Sequence, residues 1–133
     1  MEGTEVPRRH AERVLVVEDN DNTREALVLL LQAEGFDTDG VANGLDALRA
    51  LREGHDACLI LLDLMMPVMD GWTFRFEQRR DPELADIPVA VLSATIDPAQ
   101  EASRMAAVAG LQKPVNLDVL LDLVAQYCAR RSN

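Results

Sequence analysis

Short apolar runs alternate with amphipathic stretches along this chain, and the polar breaks between them are regular. Val14-Leu15-Val16-Val17 is a continuous apolar run rich in β-branched residues, as expected for a strand covered on both faces. Polar residues stop it abruptly. Asn20 or Asp21 can cap a helix from about Thr23 to Glu34, with Leu27, Leu30 and Leu31 on one face and Gly35 as terminator. Phe36 to Val41 reads as a weaker strand, and Leu45 to Glu53, closed by Gly54, as a second helix carrying Leu48 and Leu51. Cys58 to Leu62 is the strongest strand. Pro67 and Gly71 break the loop behind it, and a helix around Trp72 to Arg80 follows. Val89 to Leu92 forms the fourth strand, and Pro98 opens a helix running through Met105 to Val108. Gly110-Leu111-Gln112 is a poor fifth strand. A last amphipathic helix, from about Leu117 to Ala129, carries Leu120, Leu121 and Val124.

Five strand-helix pairs with short loops predict an α/β fold, a doubly wound parallel sheet with helices on both faces. Parallel strands need crossover connections, and those connections are right-handed. Ligands of such sheets bind outside the carboxyl ends of the strands, near the point where strand order reverses. Strand one ends in Glu18-Asp19, strand three in Asp63, strand four in Ser93, and strand five leads into Lys113. Taken singly, an acid or serine after a strand is usually a cap or turn former and a lysine is usually solvated. Gathered on one sheet edge, the set becomes chemically complete. Three crowded carboxylates call for a divalent cation, and Mg²⁺ suits hard oxygen ligands together with phosphate oxygens. Lys113 adds a compact ammonium, Ser93 a hydroxyl, and an Asp beside a metal can itself attack phosphorus.

Composition narrows the range of functions. At 133 residues, 48% hydrophobic and 27% charged, the chain has the size and make-up of one globular domain. Its net charge of -10 argues against direct DNA binding and against anionic membranes, and favours cations and basic partners. No apolar run approaches the ~20 residues of a membrane span, and the start lacks a signal-peptide apolar region, so a cytoplasmic protein is expected. Cys58 and Cys128 show no CxxC or Cys/His spacing and read as buried or incidental thiols, with neither zinc nor a disulfide supported. Met1 to Glu12 reads as a flexible leader (residues 1–12), and residues 13–131 as the folded domain.

The motifs carry a resemblance. Leu15-Val16-Val17-Glu18-Asp19-Asn20, Leu61-Leu62-Asp63-Leu64-Met65-Met66-Pro67-Val68-Met69-Asp70-Gly71, Val91-Leu92-Ser93-Ala94 and Lys113-Pro114 together resemble the receiver domain of bacterial two-component response regulators. The match runs from about Arg13 to Arg130, and the D-x-x-M-P-x-M-D-G segment between its flanking motifs is highly specific. The resemblance implies a flavodoxin-like (CheY-like) five-stranded sheet in order 2-1-3-4-5 with five helices. It implies that Asp63 is the phosphoacceptor for a sensor histidine kinase or phosphotransfer protein. Glu18, Asp19 and Asp63 would hold Mg²⁺ with the backbone carbonyl of Met65. Ser93 and Lys113 would bond the phosphoryl oxygens, with Lys113-Pro114 cis. Slow loss of its own acyl phosphate would be the only turnover, so the chain is not expected to be an enzyme acting on an external metabolite.

One position departs from the family pattern: three residues before Lys113, where an aromatic switch residue is usual, stands Gly110. Phosphorylation is still expected, with its output read through the fourth-helix region rather than through a ring flip. Output is expected through protein contacts with a downstream effector, since no output domain fits after Arg131. A homodimer through the face of the fourth helix, fifth strand and fifth helix is possible, as is origin from a longer regulator or hybrid kinase. The alternative is a pseudo-receiver that binds partners without phosphorylation; an Asp-nucleophile phosphatase is disfavoured because Leu64 and Met65 supply no second acid. His10 and His55 read as surface histidines. Trp72 is expected to pack at its helix start, Met65, Met66 and Met69 to fill loop and core, Asp70 to support the turn, and Arg75, Arg79 and Arg80 to form a solvated face.

Overall fold

A computed structural model describes residues 12–95 and 97–131 of the chain. The expected leader, with His10, lies outside the described residues except for Glu12. In chain order the elements are β1 (Arg13–Val17), α1 (Asp21–Ala33), β2 (Thr38–Val41), α2 (Gly44–Arg52), β3 (Ala57–Asp63), α3 (Gly71–Arg80), β4 (Val89–Ser93), α4 (Pro98–Arg104), β5 (Ala109–Gln112) and α5 (Leu117–Tyr127). The five strands form one parallel sheet in the order β2-β1-β3-β4-β5.

The two-residue period of a strand explains why the central runs are apolar throughout. Leu15, Val17, Ile60, Leu62, Val89 and Val91 point to one face, where Leu48 and Leu51 of α2, Phe74 of α3 and Ala102 of α4 cover them. Val14, Val16, Leu59, Leu61, Ala90 and Leu92 point to the other, under Leu27 and Leu31 of α1 and Leu120, Leu123 and Val124 of α5. Both faces must be apolar, so no alternation survives in the sequence. Helix starts follow local capping: Asn20, Asn43, Asp70, Asp97 and Asn116 each accept a backbone N–H from inside the following helix.

Some boundaries and burials differ from the sequence reading. Helix α4 ends at Arg104, because Ala106 takes a left-handed backbone (φ 55°) and turns the chain into β5. In α5, Leu123 is buried where Leu121 was expected to be, which rotates the covered stripe slightly. The cysteines are the clearest correction. Cys58 and Cys128 form a disulfide, and among the described residues no cysteine is free. A separation of 70 residues carries no signal in sequence; the end of α5 packing over the start of β3 brings the two Cα atoms to 5.5 Å, within bridging range.

Gly110 is also explained by packing. A Cβ built on it would collide with the carbonyl oxygen of Pro98 at the first turn of α4. Helix α4 therefore lies directly on the β5 backbone, in space that an aromatic side chain would need. We expect Gly110→Ala to lower stability by about 2 kcal/mol in urea denaturation, because backbone of α4 must shift to admit one methyl. An unchanged midpoint would show that α4 is loosely held.

Candidate functional site

Strand register sets the geometry of the site. Val17 of β1 lies opposite Leu62 of β3, Asp63 opposite Leu92 of β4, and Ser93 opposite Gln112 of β5. The residues at or just beyond these ends, Glu18, Asp63, Ser93 and Lys113, therefore share one edge of the sheet. Glu18, Asp19 and Asp63 bring carboxylate oxygens within 4.8 Å of one another. Lys113 Nζ donates to Glu18 Oε1 at 2.9 Å and lies 3.2 Å from Asp63 Oδ1.

Each side chain is held from behind. The Glu18 N–H donates to the Val41 carbonyl, Glu18 Oε2 accepts the Asn20 N–H at 3.1 Å, and Arg24 Nη1 donates to the Glu18 carbonyl at 2.9 Å. Asp63 Oδ1 accepts the Met65 N–H at 3.3 Å. The loop after Asp63 folds back tightly: Gly71 donates to the Leu64 carbonyl, and a Cβ on it would stand 2.8 Å from the Asp63 carbonyl oxygen and the Leu64 Cα. Only glycine fits there. The Lys113 N–H donates to the Ser93 carbonyl at 2.8 Å, while Ser93 Oγ accepts the Thr95 N–H at 3.2 Å.

Burial separates the three acids. Glu18 is 1% and Asp63 3% exposed, whereas Asp19 faces solvent. Burial, then the Glu18 carboxylate, push the Asp63 carboxyl up to about 6, against the downward pull of Lys113 and the Met65 N–H. For Lys113, burial opposes the charge, but its bond to Glu18 and the Asp63 carboxylate outweigh this and raise its pKa. Three carboxylates face one ammonium, so a divalent cation with oxygen preference fits the surplus charge.

The structure brings Glu18, Asp19, Asp63 and Lys113 together and puts Ser93 on the adjoining strand end. Asp70 caps α3 through the Thr73 N–H at 2.8 Å, in line with the expected turn role. Trp72 is 40% exposed rather than packed, because the inward positions of α3 go to Phe74, Arg75 and Gln78. Met66 is buried, but Met65 projects into solvent. Arg75 is buried, not solvated, with its guanidinium on the Met105 and Ala106 carbonyls. His55 is a partner of Asp39 at 2.9 Å beside Arg13, not a free surface histidine. Sequence reasoning passed over Asn20 and Arg24 as supports of Glu18; a capping residue directly after an acidic pair was the available signal.

The response regulator receiver domain family matches residues 14–125. The chain belongs to that family. As a receiver of two-component signalling it is 31% identical to sporulation initiation phosphotransferase F of Bacillus subtilis, covering 92% of this chain and 98% of that protein. It is 40% identical over 86 residues to the DNA-binding response regulator MtrA of Mycobacterium tuberculosis, but spans only 36% of that regulator's length. Among solved structures, a response regulator receiver protein from Pseudomonas putida superposes with TM-score 0.79 at 32% identity, covering 91% of this chain and 99% of that one. The response regulator TrrA of Thermotoga maritima, solved with Mg²⁺-BeF, gives TM-score 0.76 at 33% identity, covering 87% and 98%. No helix of the described residues is long and apolar enough to cross a membrane.

The raised Asp63 pKa fixes the sign of a pH effect. Between the ordinary carboxylate value near ~4 and about 6 the folded receiver binds more protons than the unfolded chain, so this group's contribution to stability rises as pH falls through that window. Without divalent ions, Asp63→Asn should gain about 1–2 kcal/mol at neutral pH, and the gain should shrink as pH approaches ~4. Urea titrations across that range measure it. A loss at neutral pH, or a difference that ignores pH, would contradict the assignment.

Proposed function

We propose that this receiver accepts a phosphoryl group on Asp63 from the phosphohistidine of a sensor histidine kinase or phosphotransfer protein, in a Mg²⁺-dependent step, and signals through protein contacts. One observation carries the reading: a nearly buried Asp63 is held within reach of a single ammonium and beside two further carboxylates. Such a cluster is unfavourable as it stands and becomes favourable with a cation and a phosphoryl group in it.

Glu18, Asp19 and Asp63, with the Met65 carbonyl, would hold Mg²⁺, which supplies charge neutralisation to the phosphoryl oxygens. An Asp63 oxygen attacks phosphorus; the new O–P bond forms as the donor's N–P bond breaks, and the departing imidazole takes up a proton. Lys113 leaves its bond to the Asp63 carboxylate for a phosphoryl oxygen, and the Ser93 hydroxyl donates to another. Water later cleaves the acyl phosphate slowly, which resets the signal.

The second reading, a pseudo-receiver that binds partners without phosphorylation, draws on Gly110. The aromatic switch side chain is missing and α4 occupies the space a ring would need. In the phosphoryl-accepting reading the same contact makes α4 itself, resting on β5, the element that responds.

Incubation with acetyl phosphate and Mg²⁺, followed by intact mass, tests the reading. We expect a gain of one phosphoryl group that requires Mg²⁺ and is lost in Asp63→Asn. No gain supports the pseudo-receiver, and a gain that persists in the variant places the acceptor elsewhere. With beryllofluoride and Mg²⁺, amide signals of residues 94–116 should shift if α4 reads the site; unchanged signals there would remove that part of the proposal.

A further inference from the structure

Among the described residues, most cations of this acidic chain are neutralised locally. Outside one region, each of the seven arginines and lysines among the described residues, from Arg13 beside Asp39 to Arg131 beside Asp37, has a carboxylate oxygen within 3.9 Å. The exception is a groove of about 400 Å³ between α3 and the end of α4, lined by Trp72, Arg75, Phe76, Arg79, Arg80 and Arg104.

Arg75 donates only to neutral acceptors there: the carbonyls of Met105 at 3.0 Å and Ala106 at 2.8 Å, and Gln78 Oε1 at 2.7 Å. Burial first, and then the neighbouring Arg79 cation, lower its pKa, as expected where positive charge is uncompensated. Arg79 and Arg104 are exposed and have no carboxylate partner among the described residues. Arg80 meets Glu77 at 3.5 Å, one turn away on α3. Four guanidinium groups thus face one carboxylate, a local excess of positive charge on a chain of net charge -10.

The groove also has apolar surface. Trp72 and Phe76, one helical turn apart, are 40% and 60% exposed, and the Arg80 guanidinium lies 5.3 Å from the Phe76 ring centroid. Exposed aromatics beside arginines are the composition of a binding centre. Through its bonds to Met105 and Ala106, Arg75 ties the two walls together, so the surface is preformed.

We propose that this α3–α4 groove docks an acidic segment of a partner protein, its carboxylates pairing with Arg79, Arg80 and Arg104 and an apolar side chain lying against Trp72 and Phe76. Charge complementarity selects the occupant. A nucleic acid is disfavoured because its affinity comes from phosphate contacts along an extended basic track, and this patch is confined to one groove on a strongly acidic chain. The groove is lined by none of the strand-end carboxylates, and it is preformed in the unphosphorylated chain.

Fluorescence anisotropy tests this with the full chain and a fluorescein-labelled peptide of Asp and Glu residues around one Leu-Phe pair. Saturable binding that weakens with salt is expected, falling at least about tenfold in Arg79→Glu/Arg104→Glu and severalfold in Phe76→Ala. These positions are exposed, so the variants should fold, and circular dichroism checks this. Arg49→Glu/Arg52→Glu, on α2 and already paired with Asp46 and Asp81, makes the same change in net charge and should bind as the wild type does. No saturable binding overturns the proposal, as does an equal loss in Arg49→Glu/Arg52→Glu. Tighter binding of a single-stranded oligonucleotide that is abolished by the same double variant would make the groove a nucleic-acid surface instead. Self-association in sedimentation that the double variant abolishes would make it an interface between copies.

Discussion

Two buried carboxylates, Glu18 and Asp63, share one ammonium, and the surrounding structure keeps them in place despite their repulsion. Neither can relax into solvent, because each sits at the end of a central strand whose neighbours on both sides are paired. Apolar packing on both faces of the sheet makes this possible: the strands cannot slide without exposing Val, Leu and Ile side chains, so the charges are fixed where they are unfavourable. In the proposed phosphoryl transfer, a cation and an anion arriving together would offset that repulsion.

The same rigidity shapes what the site can influence. Ser93 and Lys113 are joined by a backbone hydrogen bond across β4 and β5, so a pull on either is felt by the other. On the far side of β5 the first turn of α4 rests against Gly110. With no side chain between strand and helix, backbone motion in β5 bears on α4 directly. Helix α4 is in turn fastened at its other end, where Arg75 of α3 holds the Met105 and Ala106 carbonyls. The strand-end site and the arginine groove thus meet the same short helix at opposite ends, and a short, doubly anchored helix moves as one body.

The order and type of all ten elements can be read from the sequence because β1, β3 and β4 are near-continuous apolar runs, the two weaker strands fall between amphipathic helices, and each helix begins at an Asn or Asp cap. The site acids and Lys113 were readable for a related reason: the doubly wound fold places strand ends together, so residue type and position sufficed. What stayed hidden depends on distances between remote segments. Cys58 and Cys128 meet because α5 returns over β3. Arg75 reads as solvated because it shares its helix with Arg79 and Arg80, and only the end of α4 supplies the carbonyls that make its burial tolerable. His55 is hidden likewise, since Asp39 reaches its loop from β2.

The contrast between lysine and arginine links the two charged regions. Twelve of the thirteen cationic residues are Arg, and the single Lys is at the strand-end site. Arginine's planar fork suits surfaces where it can stack on an aromatic ring and meet a carboxylate side-on, as Arg80 does over Phe76. Lys113 faces a different demand. Its nitrogen must lie 2.9 Å from Glu18 and 3.2 Å from Asp63 at once, in a nearly buried corner already crowded by carboxylates. A compact ammonium with three rotating donors can hold both oxygens and turn one bond toward a new anion without moving its stem. A guanidinium is larger and its donors are fixed in a plane, so it would bind one carboxylate well at the expense of the other. The site therefore constrains residue 113 more tightly than charge alone would, and the groove constrains its arginines mainly by charge and planarity.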